Sequence, residues 1–371
     1  MAGIGILKVH WLDFLKTAGS PQPPKDPTTG RSAGRRPRPA EALEVAPRRR
    51  PRVPFQPNPA APPAVAPADR PADPRFHDLF VGSPTGADVI LAGVPFDASV
   101  LGRKGARDGP TGIREAFRFL GTHDPRTDRS LADLRLHDAG DVAGLDAHGD
   151  DVLAAHATVR AAAGSLLAHG TPVVLLGGDH GLTMPHLQAL TDHADGRVGI
   201  VVVDAHYDLR SYDVQPTSGT PFRRILEELD GRVRPENLVE VGIRPYANAA
   251  GLSHYARERG VHVVTADAVR SRGMEAVAAE ALERAGDGVE HLWLSIDIDG
   301  LDQSIASGCS APGAGGLLFP EVEHLVRVVA ADPRCRGMDL LEVAPGLDPT
   351  GNTCRTAAQL VASFVGAACL P

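Results

Sequence analysis

Three short apolar runs in this chain of 371 residues break off at acidic and imidazole side chains. Val198 to Val203 is β-branched apart from Gly199 and stops at Asp204-Ala-His-Tyr-Asp208. Thr171 to Leu176 stops at Gly177-Gly-Asp-His180, and His291 to Leu294 at Ser295-Ile-Asp-Ile-Asp299. Brief, wholly apolar and β-branched runs predict strands covered on both faces, as in a parallel sheet. Ligands of open α/β sheets bind just beyond the carboxyl ends of strands. The pattern therefore predicts six metal-competent side chains at three strand ends: His180, Asp204, His206, Asp208, Asp297 and Asp299.

Other segments extend the alternation. Asp88 to Val94 reads as a strand, and Gly109-Pro110 opens a helix with proline in the first turn. Asp150 to His169 is alanine-rich, with Gly170 as its stop. Helices are predicted near Pro185–Ala194, Phe222–Leu229, Tyr255, Met274–Ala285, Pro320–Ala331 and Thr353–Cys369. Strands are predicted near Leu238, Val261 and Met338. Strands alternating with helices imply a mostly parallel sheet with helices on both faces, an α/β fold. No internal repeat or linker interrupts the chain after residue 76, so residues 76–371 read as one domain.

Residues 1–75 differ. Half of the 32 prolines lie between Pro21 and Pro74, with Arg35-Arg36 and Arg48-Arg49-Arg50 among them. Such composition buries too little apolar surface to offset ordering entropy, and predicts a disordered tail. Met1 to Lys16 could form a short helix, but it lacks the apolar core and cleavage site of a signal peptide.

Composition narrows the function. A net charge of -8 argues against a nucleic-acid partner. No apolar run approaches the roughly 18 residues that span a bilayer, so no membrane partner is expected. Four cysteines, none in Cys-x-x-Cys, exclude a zinc ribbon and point to reduced thiols and a cytoplasmic home. The first βα turn has no Gly-x-Gly-x-x-Gly, which removes a dinucleotide-binding reading. Singly, an Asp at a strand end is often a helix cap and a lone His a core residue. Six together are a ligand set. Two imidazoles with four carboxylates exceed the needs of one tetrahedral zinc. They suit two hard or borderline cations such as Mn²⁺, which can activate a shared water at neutral pH.

From about Asp88 onward, these motifs resemble the ureohydrolase family of arginases, agmatinases and formimidoylglutamases. The resemblance adds Gly93-Val-Pro-Phe-Asp97, Gly105-Ala-Arg-Asp-Gly-Pro110 and Glu342-Val-Ala-Pro345 followed by Asp348. It implies a three-layer α/β/α domain, two Mn²⁺ per subunit and a homo-oligomer, trimeric or hexameric. One ion would take His180, Asp204, Asp208 and Asp297. The other would take Asp204, His206, Asp297 and Asp299. Asp208 would relay a proton to the leaving amine, and Glu342 would face the cationic amidine or guanidine, as a carboxylate suits a forked donor.

Where arginases and agmatinases carry a proposed proton-shuttle His, this chain has Ser218. Asp302 is followed by Gln303, where the family often has Pro. Asp204-Ala-His-Tyr-Asp-Leu-Arg210, Ser218-Gly-Thr-Pro-Phe-Arg223 and Ser307-Gly-Cys-Ser-Ala-Pro312 resemble the formimidoylglutamase branch. That branch takes a small molecule with two carboxylates, which Arg210 or Arg223 could pair. The expected reaction is N-formimidoyl-L-glutamate plus water to L-glutamate and formamide. The alternative is an agmatinase or another guanidino-compound hydrolase releasing urea. A non-catalytic binding protein would not need the complete ligand set.

Overall fold

The computed structural model describes residues 55–370 apart from 213 and 230. The elements in chain order are β1 Phe55–Gln56, β2 Val89–Gly93, α1 Gly109–Ala116, β3 His123–Asp124, β4 Arg129–Ser130 and β5 Leu136–Val142. Next come α2 Val152–Leu167, β6 Val173–Leu176, α3 Thr183–His193, β7 Val198–Val203, α4 Pro221–Glu228 and β8 Leu238–Ile243. They are followed by α5 Ala250–Arg259, β9 His262–Thr265, α6 Ala266–Arg272, α7 Met274–Ala285 and β10 His291–Asp297. The last are α8 Phe319–Ala330, β11 Cys335–Leu341 and α9 Asn352–Cys369.

Nine strands form one sheet in the order β1-β5-β2-β6-β11-β10-β7-β8-β9. Every neighbouring pair is parallel except β1 with β5. Alternate strand residues go to opposite faces. Val201, Val203, Leu292, Leu294 and Met338 pack with α1 and with α6 to α9. Ile200, Val202, Val173, Leu175 and Trp293 pack with α2 to α5. The expected three layers are therefore present, and the strand interiors are apolar because both faces are covered. Among the described residues no helix is long and apolar enough to cross a membrane.

Two expectations need correction. The domain does not begin at residue 76. Phe55 pairs with Val142 and Gln56 with Asp141, adding an antiparallel edge strand. Asn58 is buried and donates from Nδ2 to Asp141 Oδ2 (2.7 Å) and to Thr111 Oγ1 (2.9 Å). Arg70 donates to the carbonyls of Leu79, Ala132 and Leu134. The segment is ordered by a few specific polar contacts rather than by apolar area. Residues 1–54, including the possible Met1–Lys16 helix, lie outside the described residues. Strand β5 was also not foreseen, because Leu-His-Asp-Ala-Gly-Asp-Val carries three titratable residues. Arg114, buried on α1, explains the two aspartates: it donates from Nε to Asp138 (2.7 Å) and from Nη1 to Asp141 (2.7 Å).

Asn58→Ala should leave Asp141 short of a buried donor and cost about 1–3 kcal/mol, a drop of several degrees in melting temperature at this size. Thermal unfolding followed by circular dichroism checks it. An unchanged Tm would mean that the edge contact contributes nothing.

Candidate metal centre

All six predicted ligands meet at the carboxyl edge of the sheet. Three central strands deliver them, and β6, β11, β10 and β7 are neighbours in that order. After β6 the chain turns through Gly177 and Gly178, both at φ +77°. A Cβ on Gly178 would lie 2.6 Å from Phe96 O, so only glycine brings His180 this close to the sheet. Asp208 (φ 47°) and Glu342 (φ 65°) take up the left-handed region without being glycine. Backbone strain of this kind gathers at functional sites.

The ligands form two groups. His180, Asp204, Asp208 and Asp297 offer atoms all within 4.8 Å of one another, and so do Asp204, His206 and Asp299. His180 Nδ1 lies 3.0 Å from Asp204 Oδ2, 3.0 Å from Asp208 Oδ2 and 3.3 Å from Asp297 Oδ2. His206 Nδ1 lies 3.4 Å from Asp204 Oδ1 and 3.2 Å from Asp299 Oδ2. Asp204 therefore turns one oxygen to each group. Asp297 enters the first group only, and its Oδ1 accepts the Asp299 backbone N–H (2.8 Å).

The protonation of His180 is set from behind. Ser295 Oγ donates to Asp339 Oδ1 (2.6 Å), so it can only accept from His180 Nε2, 3.1 Å away. Asp339 Oδ2 also takes His186 Nδ1 (2.9 Å) and Trp293 Nε1 (3.1 Å). Nδ1 is thereby left with its lone pair toward three carboxylates, and neither it nor Asp204 Oδ2 makes a hydrogen bond. A cation between them turns that repulsion into coordination, so the donor set fits a metal.

Without a cation, the same carboxylates draw a second proton onto each imidazole instead. Burial would depress His180, but Asp204, Asp208 and Asp297 outweigh it and hold the imidazole well above its ordinary value. Burial likewise opposes His206, yet Asp204 and Asp299 push it up to about 12. Burial and then the Asp204 charge raise Asp208 to about 6. Burial, Asp299 and Asp204 raise Asp297 well above the carboxylate range.

Glu342, at the end of β11, accepts the His180 backbone N–H on Oε1 (2.8 Å), while Oε2 is buried without a partner. Ser218 is buried and its Oγ accepts the Leu101 N–H (3.1 Å), tying two loops together. Arg210 is exposed, its side chain lying across Gly219. Arg223 is not brought to the cluster. Helix α4 turns it outward to Glu227 (2.9 Å) and over the Tyr255 ring (4.4 Å), because residues four apart share a helix face. Asp179, beside His180 in sequence, turns aside to Ser99 and caps Gly181.

Sequence reasoning missed Asp339 and Glu240, each a lone acid inside an apolar strand. That interruption was the available signal. Neither Glu240 oxygen has a hydrogen-bond partner, and burial, then Asp204 and Asp208, raise its carboxyl far above the usual range. A cavity of about 820 Å³ lies between the β3–β4 hairpin and α8–α9 and includes none of the six clustered residues.

A profile of the arginase family matches residues 87–366. The chain belongs to the arginase family. A formimidoylglutamase of Halobacterium salinarum is 38% identical over 315 residues, covering 80% of this chain and 95% of that protein. The crystal structure of formimidoylglutamase from Bacillus subtilis strain 168 superposes with a TM-score of 0.75 at 29% identity, covering 80% of this chain and 92% of that one. The Trypanosoma cruzi formiminoglutamase solved with Mn²⁺ gives a TM-score of 0.74 at 27% identity, covering 80% and 99%. This arginase-family chain is thus a hydrolase with a His/Asp cluster that could hold metal ions.

Asp204→Asn should weaken Mn²⁺ uptake at both ligand groups, whereas Asp299→Asn should weaken one. Calorimetric titration of chelator-treated protein separates the two, and equal effects would count against the shared role of Asp204. The pH dependence follows from the same carboxylates. Asp208 is raised in the folded state, so its protonation favours folding at low pH. That contribution is lost as pH rises from about 4, the unfolded value, through about 6. Chelated protein should therefore melt lower at pH 8 than at pH 5, and Mn²⁺ should help most at pH 8, where protons no longer compete.

Proposed function

We propose that this protein hydrolyses N-formimidoyl-L-glutamate to L-glutamate and formamide with two Mn²⁺ ions. The observation that carries the reading is the pairing of a complete acidic ligand set with a buried, half-used Glu342. Four carboxylates contribute four negative charges, and two divalent cations balance them. The first ion would take His180, Asp204, Asp208 and Asp297, and the second Asp204, His206 and Asp299. When bound, such a pair of cations would supply a water activated as nucleophile at neutral pH and would stabilise the negative charge on its oxygen.

The chain's own groups do the rest. Glu342 Oε2 accepts a hydrogen bond from the amidinium and orients the reacting carbon, with Oε1 fixed by the His180 N–H. Asp208 lies among the same groups and is the carboxylate placed to take up a proton and pass it to the leaving nitrogen. Ser218 cannot be an imidazole-type shuttle, which leaves Asp208 as the proton carrier of this centre. Family membership and the formimidoylglutamases among its relatives support the substrate. The four cysteines are all free, three of them buried, which supports a reducing cytoplasmic setting.

The test is a substrate panel with Mn²⁺-loaded protein, assaying formamide, ammonia and urea separately. Formamide from N-formimidoyl-L-glutamate is expected. Urea from a guanidino compound, with no turnover of the formimidoyl substrate, would overturn the substrate. Glu342→Gln should lower kcat/KM by roughly 30-fold or more with Mn²⁺ retained, as expected for losing a buried charge-assisted contact.

A further inference from the structure

The residues assigned so far deal with the amidine end of the substrate and leave its two carboxylates without partners. A guanidinium suited to them follows β8. Arg244 is 6% exposed. Its backbone N–H donates to Ala205 O (3.2 Å), the residue between ligands Asp204 and His206. Its Nη2 donates to Ala311 O (3.1 Å), but Nε and Nη1 are buried with no acceptor. A guanidinium stays charged at any physiological pH, and a buried one with missing acceptors is strongly unfavourable. Here both edges of the fork keep an unpartnered donor.

The surroundings point to a ligand. Arg244 lines a cavity of about 220 Å³ with Tyr207, Tyr246, Asn248 and Asp267. Tyr207 lies between ligands His206 and Asp208. Asn248 holds the cavity wall to the metal loop, accepting the Tyr207 N–H (3.0 Å) and donating to Ala205 O (3.0 Å). The one carboxylate of the wall, Asp267, is already paired with Arg270 (2.7 Å). Tyr246, two residues past Arg244, is fully exposed at φ +62°, a strained conformation that a binding loop can retain. Gly313 crowds the guanidinium so closely that a Cβ there would lie 2.2 Å from Nη1, so the 311–313 loop is shaped around the charge.

We propose that Arg244 binds a carboxylate of the substrate and sets the preference of this centre for anionic amidines. The proposal rests on the formimidoylglutamate reading above. It takes over the task that the sequence assigned to Arg210 or Arg223. A forked guanidinium meets a carboxylate through two parallel hydrogen bonds, and a site holding such a charge rejects cationic substrates.

The experiment compares Mn²⁺-loaded wild type, Arg244→Gln and Arg244→Lys on N-formimidoyl-L-glutamate and on N-propylformamidine, which carries the same amidinium but no carboxylate. Binding of the product L-glutamate is measured by calorimetry. Arg244→Gln should lose roughly 30- to several-thousand-fold in kcat/KM on the anionic substrate and bind L-glutamate correspondingly more weakly. Its rate on the carboxylate-free amidine should stay within about threefold of wild type, and Arg244→Lys should fall between. Melting temperature and bound Mn²⁺ identify a variant that is merely misfolded, and Arg244→Lys then carries the test. Equal losses on both amidines, or unchanged glutamate binding in a folded variant, would overturn the proposal. If wild type instead releases urea from 4-guanidinobutanoate and ignores the formimidoyl substrate, the proposed function fails. Arg244 is then judged on 4-guanidinobutanoate against carboxylate-free N-propylguanidine, with 4-aminobutanoate as the product whose binding is measured.

Discussion

Four aspartates buried within a few ångströms of each other repel strongly, and the structure is arranged to hold them there. Asp204, Asp208, Asp297 and Asp299 sit around two imidazoles, with Asp204 wholly buried between the groups. In a low-dielectric interior such a cluster either takes up protons or binds cations. The raised carboxyls of Asp208, Asp297 and Asp299 express the first choice. The bare Nδ1 of His180, fixed through Ser295 and Asp339, favours the second.

That arrangement needs a rigid frame. The frame is a sheet whose central strands are apolar on both faces, so the ends of β6, β7, β10 and β11 are registered against one another by backbone pairing. Met338 pairs with Val174 and Leu294 with Met338, which fixes the heights at which Glu342, His180 and Asp297 emerge. Strain at Asp208 and Glu342 is tolerated because the packed strands behind them overdetermine the backbone.

The centre is electrostatically two-sided. Acid dominates the cluster side, where Glu342 Oε2 is buried without a partner beside the His180 loop. On the β8 side a buried guanidinium faces a small cavity. A ligand with an amidinium at one end and carboxylates at the other matches that polarity, whereas a ligand with two cationic ends matches only half of it.

The sequence by itself determined the fold class and singled out the six His and Asp side chains that the fold brings together. Apolar runs ending in Asp and His are local patterns, and a parallel sheet places all such ends on one edge. It failed for β5 and for residues 55–75, whose stability comes from Arg114 and Asn58 reaching residues 24 to 83 positions away. It also failed for substrate arginines. Arg210 and Arg223 flank the metal motif in the chain, but helical periodicity turns Arg223 to Glu227 and solvent. Only the tertiary structure showed that Arg244, one strand over, is buried beside the metal loop with unpartnered donors. Which charges face a site depends on register and helix phase between distant segments, and no short pattern along the chain records that.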